Sequence, residues 1–71
     1  MTITLLGRPA CHLCDDAEGL LQRAGHRVDR VDIDEDDALV AEYGLRIPVL
    51  LDAGGAVLAE GLVTPADVAA L

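Results

Sequence analysis

Cys11 and Cys14 stand where an apolar run ends and a helical pattern begins, and they are the only two cysteines of the chain. Upstream, Ile3-Thr4-Leu5-Leu6 is apolar on both sides of any strand it forms. That predicts a strand over 2–7 in a central, doubly covered position. Arg8-Pro9-Ala10 reads as a loop, because Pro9 discourages continuation of the strand. From Cys11 onward, Leu13, Ala17, Leu20, Leu21 and Ala24 follow helical spacing. Asp15, Asp16 and Glu18 occupy the first turns, where carboxylates suit the helix dipole. Cys11-His12-Leu13-Cys14 therefore opens a helix directly after a strand. At that junction a thiol becomes a nucleophile: the thiolate is the reactive form, and a helix N-terminus lowers a cysteine pKa from about 8.5 into a range of roughly 3.5–7.5. A second thiol one turn along can then attack a mixed disulfide formed at the first.

The rest of the chain alternates elements. Gly25 is placed to end the first helix as its C′ residue. Arg27 to Ile33 reads as a second strand with Val31 and Ile33 on one face. Val28 falls out of that alternation, which predicts a bulge or a late start. Asp36 to Tyr43 reads as a short helix showing Leu39, Val40 and Tyr43, closed by Gly44. Val49 to Leu51 and Ala56 to Ala59 read as short strands, and Asp52-Ala53-Gly54-Gly55 between them has hairpin-turn chemistry. Thr64 caps a last helix, with Pro65 at its first position and Asp67 three residues after the cap. The order is βαβαββα. The first two strands need a crossover helix, so they should be parallel, and the last two make an antiparallel hairpin. The expected class is α/β, a four-stranded mixed sheet flanked by three helices.

At 71 residues the chain is expected to be one domain, 1–71. Small domains bury a modest fraction of their surface, and a hydrophobic content of 52% compensates. Tyr43 is the single aromatic residue, so the core must come from Leu, Val, Ile and Ala. No apolar run approaches the ~20 residues that span a bilayer, and the first residues do not read as a signal peptide. The expectation is a cytoplasmic protein, in a compartment where a Cys-x-x-Cys pair is catalytic more often than it is a staple. The net charge of −8, with no lysine, argues against nucleic-acid and anionic-membrane partners. Six of the thirteen acids fall between Asp29 and Asp37. Arg8, His12 and Arg46 are candidates for a less negative region around the cysteines.

Plainer readings of the same residues exist. The cysteines could be a buried structural pair. They could be half of a zinc site, but tetrahedral zinc wants four ligands and only His12 and His26 remain as further nitrogen ligands, His12 lying inside the motif. No metal site is therefore expected. Asp32, Asp34 and Asp36 alternate as in a calcium loop, yet the glycine and glutamate that such a loop needs are replaced by Asp37 and Tyr43. A solvated acidic strand exit leading into a capped helix fits better. His26 reads as structural and Tyr43 as core.

Two segments carry a family resemblance. Leu5-Leu6-Gly7-Arg8-Pro9-Ala10-Cys11-His12-Leu13-Cys14-Asp15 resembles the active-site segment of glutaredoxins and small glutaredoxin-like proteins. Val31-Asp32-Ile33-Asp34-Glu35, continued by Tyr43-Gly44-Leu45-Arg46-Ile47-Pro48-Val49-Leu50-Leu51, resembles the thioredoxin-fold stretch that ends in a cis-proline facing the active site. The resemblance implies a thioredoxin-like fold with Cys11 as exposed nucleophile, Cys14 as buried resolving thiol and Pro48 as the cis-proline. It also implies that the backbone of Ile47 pairs with a substrate chain as an added strand would. Arg8 stands where glutaredoxins often carry a basic residue that stabilises the thiolate or meets a substrate carboxylate. His12 is a candidate for tuning the Cys11 thiolate, while Asp15 and Asp16 pull the other way, so a moderately lowered pKa is expected. Departures from the glutathione-using members are clear: no aromatic residue stands within the motif, and in Glu60-Gly61-Leu62 only Gly61 matches the Gly-Gly that holds the tripeptide.

The expected function is thiol–disulfide oxidoreductase chemistry by a monomer acting on protein or small-molecule disulfides. Cys11 attacks, Cys14 resolves, and a reductant, with glutathione as one possibility, restores the dithiol; no bound cofactor is expected. Two other classes remain open from sequence: a non-catalytic binding or adaptor domain, and a metal or iron–sulfur carrier with Cys11 as a ligand between two subunits.

Overall fold

The computed structural model describes residues 2–71. Strand β1 (Thr2–Gly7) is followed by helix α1 (His12–Arg23), strand β2 (Arg27–Asp32), a single 3-10 turn (Ile33–Glu35) and helix α2 (Asp37–Tyr43). Strands β3 (Val49–Leu51) and β4 (Val57–Glu60) and helix α3 (Pro65–Ala69) complete the chain. The four strands form one sheet in the order β2-β1-β3-β4. β1 runs parallel to β2 and antiparallel to β3, and β3 is antiparallel to β4. This is the mixed, three-helix α/β architecture that the alternation of patterns predicts.

The period-2 geometry of the strands divides the core into two layers. Ile3 and Leu5 of β1 and Leu50 of β3 pack with Ala17 and Leu21 of α1, Val63, and Val68 of α3. Leu6 of β1 and Val49 of β3 face the other way, onto Ile33 and the partly buried Leu39, Val40 and Tyr43. β1 is therefore covered on both faces, and Ile3, Leu5 and Leu50 are fully buried.

Local chemistry sets the ends of the helices. The His26 N–H donates to the Leu21 carbonyl and the Gly25 N–H to the Gln22 carbonyl, both at 3.0 Å. With Gly25 at φ +87°, this is a Schellman ending of α1. The Asp36 carboxylate caps α2, accepting from the Ala38 N–H at 2.9 Å, so Asp36 precedes the helix it was expected to begin. Thr64 and Asp67 exchange side-chain and backbone bonds in a capping box, with Pro65 in the first turn of α3.

Three further details differ from the sequence expectation. β2 pairs with β1 without a break from Thr2–Arg27 to Gly7–Asp32, so there is neither a bulge nor a late start at Val28. Val28 sits opposite Ile3 and packs against the α1 layer, which explains why it falls out of step with Val31. Ile33 is not part of β2. The Asp32 carboxylate accepts from the Asp34 N–H at 2.9 Å and turns the chain, dropping Ile33 fully buried into the α2 layer. Ala56 belongs to the hairpin and not to β4: the Asp52 carboxylate accepts from the Gly54 and Ala56 N–H groups, and the register irregularity lies at Leu50/Leu51.

Leu50→Ala removes a fully buried side chain from the layer under α1. It should cost about 2–5 kcal/mol, read as a lower urea midpoint with an unchanged slope.

Candidate active site

The carboxyl end of β1 delivers the chain into a tight four-residue connection, Arg8-Pro9-Ala10-Cys11, before α1 begins. Ala10 takes φ +58°, in the left-handed region that a residue with a Cβ rarely occupies. Cys11 follows as the N-cap of α1, and its sulfur accepts from the Cys14 N–H at 3.2 Å. The sulfur thus sits where a Ser or Asp oxygen usually caps a helix, against unpaired backbone N–H groups. The two sulfurs are joined as a disulfide, with Cα atoms 5.2 Å apart. Cys11 is half-buried and Cys14 fully buried, so solvent reaches the first cysteine and not the second.

Gly7 makes that burial possible. A Cβ at Gly7 would lie 2.8 Å from Cys14 Sγ and 3.1 Å from its Cβ. Only a residue without a side chain lets the last position of β1 pass this close to Cys14. Sequence reading placed Gly7 as a strand end and missed this role.

Arg30 is the second residue that sequence reading missed. It pairs with Leu5 in the β1–β2 register, so its side chain points to the α1 side of the sheet. Its Nη1 donates to Asp15 Oδ1 at 2.6 Å and to Glu18 Oε1 at 3.1 Å, and its Nη2 donates to the Arg8 carbonyl at 3.0 Å. One guanidinium thus ties β2 to the first turns of α1 and to the loop before Cys11. The hydrogen bond that Arg30 donates to Asp15, reinforced by the one to Glu18, holds Arg30 above its ordinary pKa in spite of partial burial. An arginine inside a strand pattern offers no partner until the parallel register is known.

The expected less negative region does not form as a set of free cations. Arg8 Nε donates to Asp34 Oδ1 at 2.8 Å. His12 is exposed and faces Asp16, with Nε2 and Oδ2 3.5 Å apart. Arg46 bonds Glu60 and Glu42 and lies 5.0 Å from the centroid of the Tyr43 ring. Its guanidinium is raised above its ordinary pKa, chiefly by the hydrogen bond to Glu60. Tyr43 is accordingly only partly core, with its ring also serving Arg46.

Gly61 ties two loops together. At φ +72°, its N–H reaches the Arg46 carbonyl at 3.0 Å and the Pro48 carbonyl at 2.9 Å, bracketing Ile47 from both sides. The Ile47–Pro48 peptide is cis, and Pro48 is fully buried. Along α1 a cleft of about 330 Å³ opens, lined by Leu13, Asp15, Asp16, Leu20 and Arg23 of the helix and by Leu62 and Val63. Leu13 and Leu62 are exposed apolar side chains on its walls. Among the described residues no three His, Cys, Asp or Glu side chains converge into a metal-binding group. Among the described residues no helix is long and apolar enough to cross a membrane.

A dithiol at the first strand–helix junction of this sheet defines a thioredoxin-like protein. The model of the glutaredoxin-like domain (DUF836) matches residues 2–71, and the chain belongs to that family. It is similar to a solved structure from X. campestris, the Northeast Structural Genomics target protein XcR50, at 43% identity and a TM-score of 0.81. That match covers 96% of this chain and 91% of the other. A second solved structure, described as that of a malarial protein, shares the fold at 20% identity and a TM-score of 0.58, covering 97% of this chain and 89% of that one. No curated protein matches.

Gly7→Ala forces a methyl group against Cys14 Sγ. Thermal or urea unfolding of the oxidised protein should show a loss of about 1–3 kcal/mol, the usual cost of overpacking.

Proposed function

We propose that this chain is a thiol–disulfide oxidoreductase working by a dithiol mechanism. One observation carries the reading: two bonded sulfurs at a helix N-terminus, the first reachable and capping the helix, the second fully buried behind it. In the reduced state the Cys11 thiolate attacks one sulfur of a substrate disulfide, RSSR, forming Cys11–S–S–R and releasing RS⁻. Cys14 gives up its proton and attacks Cys11 Sγ, closing the Cys11–Cys14 bond and releasing the second RS⁻. Both leaving thiolates take up protons, so one dithiol is oxidised for one disulfide reduced. The helix N-terminus favours thiolate at Cys11, and the fixed 5.2 Å Cα separation keeps the resolving thiol in range.

The surrounding loops frame the substrate. Ile47, held between the two carbonyls that Gly61 engages, offers its backbone to an incoming extended chain. Exposed Leu13 and Leu62 offer apolar contact on the walls of the cleft along α1. Arg8, on the loop before Cys11, can exchange Asp34 for a substrate carboxylate, and His12 stands exposed one residue after the nucleophile. We infer monomeric action on protein or small-molecule disulfides in a reducing compartment such as the cytoplasm, with glutathione as a candidate reductant and no bound cofactor.

Equilibration in glutathione buffers followed by thiol trapping tests the reading. A reversible two-electron transition between roughly −180 and −270 mV is expected. Failure to interconvert the dithiol and the disulfide would overturn the mechanism in favour of an adaptor domain or a metal carrier. Cys11→Ser should abolish disulfide reduction. Cys14→Ser should accumulate a mixed disulfide at Cys11, seen by mass spectrometry as the mass of one substrate half.

A further inference from the structure

We propose that Arg30 is a positioning residue for the nucleophile: from the neighbouring strand it cancels the carboxylates of Asp15 and Glu18 and clamps the loop before Cys11, keeping the thiolate accessible near neutral pH. The inference rests on Cys11 acting as the thiolate nucleophile. Asp15 lies in the first turn of α1, its N–H bonded to the Cys11 carbonyl at 3.0 Å. Left alone, a carboxylate there opposes the effect of the helix N-terminus on the thiolate. Arg30 meets that carboxylate at 2.6 Å and Glu18, one turn on, at 3.1 Å. Its other nitrogen holds the Arg8 carbonyl at 3.0 Å, three residues ahead of the nucleophile and just before Ala10 with its left-handed backbone. One planar fork therefore serves both charge and geometry, which an ammonium would do less well.

No other described cation near the motif duplicates this. On the connecting loop, Arg8 is committed to Asp34 of the 3-10 turn. On α1, His12 faces Asp16, while Arg23 lies in the last turn and lines the cleft with Asp15 and Asp16. From the loop after α2, Arg46 is committed to Glu42 and to Glu60 of β4. Arg30 alone among them bonds a carboxylate in the first turn of α1 and a carbonyl of the loop before it. Its side chain is 26% exposed, so the pairing is only partly screened by water.

The test is the titration of Cys11 in the full-length Cys14→Ser protein, which leaves a single thiol, followed by the pH dependence of iodoacetamide alkylation. Arg30→Met should raise the Cys11 pKa by about 0.5–1, cutting alkylation at pH 7 several-fold. Asp15→Asn alone should lower the pKa by releasing Arg30 from its partner. Combining Asp15→Asn with Arg30→Met should return it towards the starting value, and Arg30→Lys should restore the charge effect in part. An unmoved pKa in Arg30→Met and in Asp15→Asn, with native circular dichroism, overturns the proposal. If Arg30→Met fails to fold, Asp15→Asn and Arg30→Lys decide it alone, since Asp15 is exposed and Arg30→Lys keeps the positive charge. The alkylation pKa is read without turnover. A protein that shows the Arg30 effect but reduces no disulfide refutes the oxidoreductase reading and leaves this one standing; the converse result does the opposite.

Discussion

Coverage of β1 on both faces is the constraint on which the rest of this protein depends. Ile3 and Leu5 must be buried under α1 and α3, and Leu6 under α2, within one six-residue strand. A chain with a single aromatic residue has no large side chain to cover one face alone, so two thin aliphatic layers share the burial. Once β1 is central, its parallel neighbour must be reached by a crossover helix, and that helix must start at the carboxyl end of β1. The N-terminus of α1 therefore emerges at the carboxyl end of the central strand, where backbone N–H groups are free to meet an anion. The sulfur of Cys11 occupies that position.

The same geometry separates the two cysteines chemically. One turn of helix carries Cys14 from the solvent edge to the back of β1, where it meets the bare backbone of Gly7. Burial disfavours a charged sulfur and a helix N-terminus favours one, so two thiols of identical intrinsic chemistry are placed in opposing environments.

Electrostatics at this end of the sheet consists of pairs, not of a basic patch. Arg8 meets Asp34, Arg30 meets Asp15 and Glu18, and Arg46 meets Glu42 and Glu60. The carboxylates outnumber their partners, in keeping with a net charge of −8. Exposed pairs of this kind add little stability individually. Their effect is to hold loops in place: Arg8 ties the loop before Cys11 to the 3-10 turn, and Arg30 ties that loop and α1 to β2.

Element order, the class of the sheet, the cap of α3 and the place of the two cysteines at a strand–helix junction were legible in the sequence because each rests on local chemistry: period-2 or helical spacing of aliphatic residues, a Thr-Pro-x-Asp capping box, a Cys-x-x-Cys after a strand. The bounds of β2 were less so. Ile33 continues the apolar alternation, but the Asp32 carboxylate turns the chain first, and no spacing rule ranks one signal above the other. What tertiary structure alone decided are contacts between residues far apart in the chain. Gly7 against Cys14, Arg30 across to Asp15 and the Arg8 carbonyl, and Gly61 on the carbonyls either side of Ile47 all depend on strand register and loop approach. Sequence by itself determined which groups could react, since reactivity begins with residue type and its place on a helix. Only the packed sheet determined which of those groups are buried, neutralised or held, because burial and pairing are properties of neighbours brought together in space.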